Sequence, residues 1–287
     1  MRIFWPFSSY ILRTTIVLGL PFLFLGFSVN KFPADPKWEQ LFNGKDLNDW
    51  QVKIRYHDLS DNYANTFRVK DGNIQVRYDQ YAQFDETFGH LFFKKQYSYY
   101  LIAAEYRFVG EQVKGGPGWA YRNSGIMVHG QDPAVMKKDQ DFPNSIEVQL
   151  LGGAGNGERP TANLCTPGTQ FVLNGKVVKN HCVESNSKTF NGEQWVRVEV
   201  LVLGDSTIVH YVNGDEVLRY DRPQKDPVGG AEEGDLIKGG TISLQSESHP
   251  VDFRKVEIIN LEKYAKDPAK LDEVIKKLMS EKRIAKQ

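Results

Sequence analysis

The sequence predicts an all-β body, a sandwich or a barrel, on three observations. Short runs of alternating apolar and polar residues follow one another from Phe67 to Ile259. The dipeptides Asp71-Gly72, Asn174-Gly175 and Asn213-Gly214 punctuate them as hairpin turns. Aromatics make up 12% of the 287 residues and glycine contributes 25 of them, a mix suited to short strands and tight turns. No βαβ period, GxGxxG or GxxxxGKS/T is present, which excludes a doubly wound nucleotide-binding fold and a phosphate-cradling loop. The 40% hydrophobic and 25% charged content excludes a disordered, collagen-like or polytopic membrane chain. Lys plus Arg and Asp plus Glu both number 36, so charge gives no argument for a nucleic-acid partner.

Residues 1–28 read as a signal peptide. Arg2 and Arg13 precede an uncharged apolar run from Ile16 to Phe27. That run is about a dozen residues, the length of a signal core, whereas a spanning helix needs roughly 20. Gly26 and Ser28 offer small residues for cleavage. The alternative is an uncleaved N-terminal anchor, which would be the chain's one association with a membrane. Either reading exports the body, to the periplasm or beyond, where disulfides are permitted. Residues 29–37 form a polar linker.

Strands are expected at Phe67–Lys70, Ile74–Arg77, Tyr99–Val109, Ser124–His129, Ser145–Leu151, Phe171–Leu173, Trp195–Leu203, Thr207–Val212, Glu216–Tyr220, Thr241–Gln245 and Val251–Ile259. In the seventh of these, Val196, Val198, Val200 and Val202 share one face, with Arg197 and Glu199 on the other. The segment between Cys165 and Cys182 reads as a hairpin around Asn174-Gly175, which brings the two cysteines within reach of a disulfide. Asp267-Pro268 caps an amphipathic helix of about four turns, with Leu271, Val274, Ile275 and Leu278 on one face. The helix is either a packing appendage or a partner-binding element.

Three segments could carry chemistry. Gly115 to Gly130 sets Trp119 and Tyr121 in a Gly- and Pro-rich loop, with Arg122 and Asn123 entering a strand that ends at His129. Aromatic faces beside planar polar groups suit a sugar ring; the alternative is aromatics that plug the core. In Ser145 to Leu150, Glu147 and Gln149 share the face opposite Ile146, Val148 and Leu150, and project together either into a cleft or into solvent. Leu244 to Pro250 is a strand end running into a turn, with Gln245 and the titratable Glu247 and His249. No metal-ligand spacing is present, so no metal and no cofactor are expected.

At these residues the chain resembles the 3-keto-disaccharide hydrolase family. The matching segments are Leu41-Phe42-Asn43-Gly44-Lys45-Asp46-Leu47 with Trp50, Phe67 to Ile74, Arg122-Asn123-Ser124-Gly125-Ile126, Glu147-Val148-Gln149-Leu150, Asn213-Gly214, and Leu244-Gln245 followed by Pro250 to Val256. The resemblance spans residues 38–261 and leaves 262–287 to the helix. It implies a concanavalin A-like jelly roll of two antiparallel sheets. It also implies cleavage of 3-keto-glycosides that a separate sugar 3-oxidoreductase supplies. Many members carry a histidine two residues after the closing Leu-Gln; here that place is Glu247, and His249 follows two later. The segment Asn163 to Ser187 is more elaborate than the family's usual form.

The chemistry of such a substrate sets the roles. Its C3 ketone acidifies the C2 proton, so a base, donors for the C3 oxygen and an acid for the leaving group suffice. Glu147 is the first candidate for acid/base work, with Glu247 or His249 as the second titratable group. Arg122, Asn123 and Gln149 are candidate donors, and Trp119, Tyr121, His129 and Gln245 complete the expected sugar contacts. A non-catalytic carbohydrate-binding module on the same scaffold is the competing reading.

Overall fold

The computed structural model describes residues 1–6, 36–227 and 233–285. The chain divides into two units, Met1–Ala34 and Asp35–Gln287. The expected signal segment and most of the linker lie outside the described residues.

The second unit is a sandwich of two antiparallel sheets. One follows the order β11 (Lys176–Val178), β10 (Thr169–Leu173), β15 (Asp215–Lys225), β14 (Thr207–Val212), β13 (Val196–Leu203), β6 (Tyr99–Phe108), β17 (Val251–Asn260), β4 (Asn73–Val76) and β3 (Phe67–Lys70), with β1 (Glu39–Gln40) also pairing with β17. The other follows β12 (Cys182–Val183), β9 (Asn163–Cys165), β8 (Ile146–Leu151), β7 (Asn123–Gly130), β16 (Thr241–Ser246), β5 (Gly89–Phe93) and β2 (Trp50–Ile54). Asp71-Gly72, Asn174-Gly175 and Asn213-Gly214 all adopt positive φ at both residues, the geometry a two-residue hairpin turn requires.

The core lies between the sheets because each strand turns its alternate apolar residues inward. Val198, Val200 and Val202 of β13 meet Leu91, Ile126, Val148 and Leu244 of the second sheet's strands in one cluster. On the other face of β13, Arg197 bonds Glu199 and Glu257, while Leu201 joins a second cluster with Val209, Tyr211 and Ile259. The C-terminal helix α1 (Pro268–Ala285) completes that cluster with Leu271, Val274 and Leu278. Asp267 caps it, its Oδ1 accepting from the Lys270 N–H at 3.1 Å. The helix is therefore a packing element, at 18 residues nearer five turns than four.

One strand carries no alternation in sequence. β5 reads Gly-His-Leu-Phe-Phe and is buried on both faces through Phe92. Residues 131–144, between β7 and β8, cross over the outward face of this part of the sheet: Lys53 Nζ and the Tyr56 N–H both donate to the Lys138 carbonyl. A strand covered on both sides reads as a continuous apolar run and loses its period of two.

The segment between the cysteines differs from a single hairpin. Its inner strands β10 and β11 pair in the ten-stranded sheet, whereas its ends β9 and β12 pair in the seven-stranded sheet. Cys165 and Cys182 face each other in that register and are joined as a disulfide. The segment thus ties the two sheets together beside β8.

Candidate active site

With α1 and the ion pairs covering the ten-stranded sheet, polar residues gather on the outward face of the seven-stranded one. Register fixes which side chains share it. Leu91, Ile126, Val148 and Leu244 point into the core, so their strand neighbours point out: His90 on β5, Gln245 on β16, Gly125 on β7, and Glu147 and Gln149 on β8. The pairings Lys53 with His90, His90 with Gln245, and Gly125 with Gln149 run in one row across the strands. Gly125 leaves a gap in that row, and the side chains of Glu147 and Gln245 lean into it.

A cavity of about 400 Å³ opens on this face. Its polar lining is Asn123, Glu147, Gln149, His181 and Glu247, and its apolar lining is Trp119, Phe142, Pro167 and the Cys165–Cys182 bridge. Glu147 is 6% exposed and Glu247 3%. Burial pushes the Glu147 carboxyl up to about 8, with the neighbouring Gln245 amide acting in the opposite direction. Glu247 is held well above the usual carboxylate range by burial and then by repulsion from Glu147, while the Arg159 guanidinium favours its charged form. Glu247 Oε2 and Asn123 Oδ1 are buried without a hydrogen-bond partner. Gln149 Oε1 accepts from Asn163 Nδ2 at 3.2 Å. Two carboxyls of raised affinity for protons, in one cavity with amide groups, can exchange protons with a ligand near neutral pH.

The expected residues divide into three groups. Glu147, Glu247, Asn123, Gln149 and Trp119 line the cavity. Gln245 stands directly behind it, its side chain beside that of Glu147 above Gly125. Trp119 is 56% exposed and stacks on Phe88 with ring centres 5.9 Å apart. The remaining candidates do other work. Tyr121 packs edge-on against His249 at 5.0 Å, and Phe108 packs on the same imidazole at 5.6 Å. His249 is fully buried and is driven down to about 4 by burial and then by Arg122, so its ring is neutral and a weak base. Arg122 donates to the Gly153 carbonyl at 3.3 Å, holding a loop and not reaching the cavity lining. His129 lines a separate cavity of about 610 Å³ and donates from Nε2 to the Gly204 carbonyl at 2.8 Å. Arg122 and His129 thus lie outside this cavity, contrary to the expectation that they meet a ligand beside Glu147: a strand end displays a side chain, but register decides which cavity receives it.

Arg159 is the residue that sequence reasoning passed over. It donates to the carbonyls of Gly152 at 2.7 Å, Arg122 at 3.2 Å and Trp119 at 3.3 Å, tying the aromatic loop to the end of β8. Its Gly-rich neighbourhood, Gly152 to Pro160, carries no periodicity that would have marked it.

The family model for the 3-keto-α-glucoside-1,2-lyase-like domain matches residues 37–259. The chain belongs to that family. No curated protein matches it. Among solved structures, a Bacillus subtilis protein of unknown function with a galectin-like fold superposes with a TM-score of 0.51 at 11% identity, over 79% of this chain and 96% of that one. A provisionally assigned glycosyl hydrolase from Parabacteroides distasonis ATCC 8503 gives 0.49 at 17% identity, over 78% of this chain and all of the other. The β-glucanase of Bacillus licheniformis gives 0.43 at 11% identity, over 79% and 98%. The first of these likenesses concerns the sandwich fold. The family takes its name from a lyase acting on 3-keto-glucosides, which points to a carbohydrate-active role.

Proposed function

We propose that the chain cleaves 3-keto-glycosides by elimination followed by hydration, with Glu147 as base and Glu247 as acid. The observation that carries this is the pair of buried carboxyls in one cavity, both with raised proton affinity and mutually repelling. Their repulsion opposes ionisation of both at once, so one can act as base while the other keeps its proton. A binding module has no need of such a pair.

In the first half-reaction Glu147 takes the C2 proton, the C2 electron pair forms the C1–C2 double bond, and the C1–O1 bond breaks. Glu247 gives its proton to O1, so the leaving group departs neutral. Charge that develops on the C3 oxygen meets amide donors, for which Asn123 and Gln149 stand in the cavity and Gln245 beside it. In the second half-reaction Glu247, now ionised, takes a proton from water as its oxygen adds to C1. Glu147 returns its proton to C2, and both carboxyls regain their starting states. The ordinary glycosidase pairing of nucleophile and acid is not required, because the ketone supplies the activation.

The proposal includes export of the protein, consistent with the Cys165–Cys182 bridge, and a separate oxidoreductase that makes the ketone. The test is release of a phenol from an aryl 3-keto-glucoside and none from the parent glucoside. Cleavage of both, or of neither, would remove the role assigned to the ketone.

A further inference from the structure

His90 is a buried polar group with no structural occupation. Its ring is fully buried, and neither Nδ1 nor Nε2 has a hydrogen-bond partner. A buried polar atom left unsatisfied opposes folding, so such an atom calls for a ligand, a water or a role. Burial drives its pKa down to about 3, so the imidazole is neutral and presents one N–H donor and one acceptor. The Ser243 hydroxyl is likewise buried without a partner. Ser243 lies two residues from Gln245 on β16 and so shares the outward face.

Position makes these orphans one feature. His90 pairs directly with Gln245, and Gln245 meets Glu147 above Gly125. The outward row therefore runs from Gln149 through Gly125 and Gln245 to His90, and the proposed base leans into it at Gly125. The cavity itself stops at Phe142. The Phe142 ring stands 6.0 Å from the His90 ring, edge to face, and 5.0 Å from Phe88, so it roofs His90. The loop that carries it is held by Lys53, whose three ammonium protons go to the carbonyls of Ile54, His57 and Lys138. Lys53 is thus fully used, and His90 is the group left over beneath the roof.

We infer that His90, with Gln245 and Ser243, binds the oxygen atoms of the oxidised sugar ring, which reaches them by displacing Phe142. This rests on the proposed function above and extends it by orienting the substrate. The sugar lies toward His90, and the leaving group lies toward the apolar lining of Trp119, Pro167 and the disulfide. The ring of a sugar needs donors and acceptors on several sides, which the His90 end supplies, whereas the Trp119 end is mostly apolar with His181 as its one titratable group.

The experiment titrates methyl 3-keto-glucoside into Glu147→Gln protein, in which turnover is slowed about 10²–10⁴-fold, and compares it with the same protein carrying His90→Leu or His90→Gln. Calorimetry should show affinity weakened about tenfold or more by His90→Leu, as for loss of hydrogen bonds to a buried ligand. The His90→Gln amide, which both donates and accepts, should recover most of it. Melting of His90→Leu should occur at the same or a higher temperature, since an unsatisfied polar ring is replaced by a hydrocarbon. Unchanged affinity in His90→Leu, with parent binding intact, would overturn the inference alone and leave His90 to an internal water. No binding by the parent would overturn the proposed function as well. If His90→Leu does not fold, the ¹⁵N resonances of the His90 imidazole in the parent decide the matter: they shift on adding the sugar, or the inference is wrong.

Discussion

The side chains of Glu147 and Gln245 meet above Gly125, where a methyl group would lie 2.9 Å from Glu147 Oε1 and 3.0 Å from Gln245 Oε1. The glycine is a place made for a carboxylate. Gly125→Ala should move that carboxylate without unfolding the sandwich, because the neighbours in question are the ends of side chains. Turnover of a 3-keto-glycoside should fall about 10²-fold, the scale of an ångström-sized misplacement of a reacting group. Steady-state kinetics together with a thermal melt checks this. Normal turnover would show that Glu147 need not occupy that gap.

Glu147→Gln removes the base and keeps the shape. Turnover should fall by about 10²–10⁴, and binding of an unreactive sugar should survive. Glu247→Gln should fall on the same scale for substrates with poor leaving groups and less for a phenol, which leaves readily without a proton. The double variant should be little worse than the weaker single one, because the two groups act as a unit. Equal losses across all leaving groups in Glu247→Gln would remove its role as acid.

The direction of the pKa shifts sets two pH dependences. Activity requires Glu147 ionised, so kcat/KM should rise as pH approaches about 8 and fall again as Glu247 loses its proton. Stability runs the other way. A carboxyl whose folded pKa lies above its unfolded value contributes most when protonated, so its contribution is complete below about 4.5 and lost as pH rises through about 8. Glu147→Gln should therefore flatten the pH dependence of the melting temperature and stabilise the protein at pH 8. Denaturation series on the two proteins at several pH values check the sign.

Much of this site is visible in the sequence. Alternation alone puts Glu147 and Gln149 on the same face of β8 and separates them from Ile146 and Val148. It cannot say that this face carries a cavity, because that depends on residues 131–144 crossing it and on β9 closing one side. Gly125, His90 and Arg159 act through cross-strand register or through loop carbonyls, and neither leaves a local pattern. His129 and His249 show the converse: both sit near strand ends beside turn residues, and the fold uses one to bond Gly204 and the other to fill a space between Tyr121 and Phe108.

His249→Ala tests that last assignment. The ring is enclosed by aromatic edges, so its removal leaves a void, and stability should fall by about 2 kcal/mol, the lower end for truncating a large buried side chain, because two unpaired ring nitrogens leave with it. Turnover should fall less than in Glu147→Gln, through loosening of the Tyr121 loop. A larger fall, with a pH profile that loses its limb near 8, would make His249 the main base and Glu147 a binding residue.

The disulfide offers the last test, because it belongs both to the fold and to the cavity. Cys165 pairs with Glu147 across β8 and β9, so the bridge stands beside the proposed base. Its partner strand β12 is two residues long and lies at the edge of its sheet, held besides the bridge by its pairing with β9 and by Thr166, which donates to the His181 carbonyl. Replacing both cysteines by serine should destabilise the protein by about 3 kcal/mol, the value for closing a loop of this size. The free edge should then move away from the cavity and take Pro167 and His181 with it. KM should rise several-fold while kcat changes less, because Glu147 and Glu247 stay anchored on β8 and beyond β16. Alkylation of native protein should find no free thiol. An equal fall in kcat and kcat/KM would show instead that the bridge positions Glu147 itself, through the register Glu147 shares with Cys165.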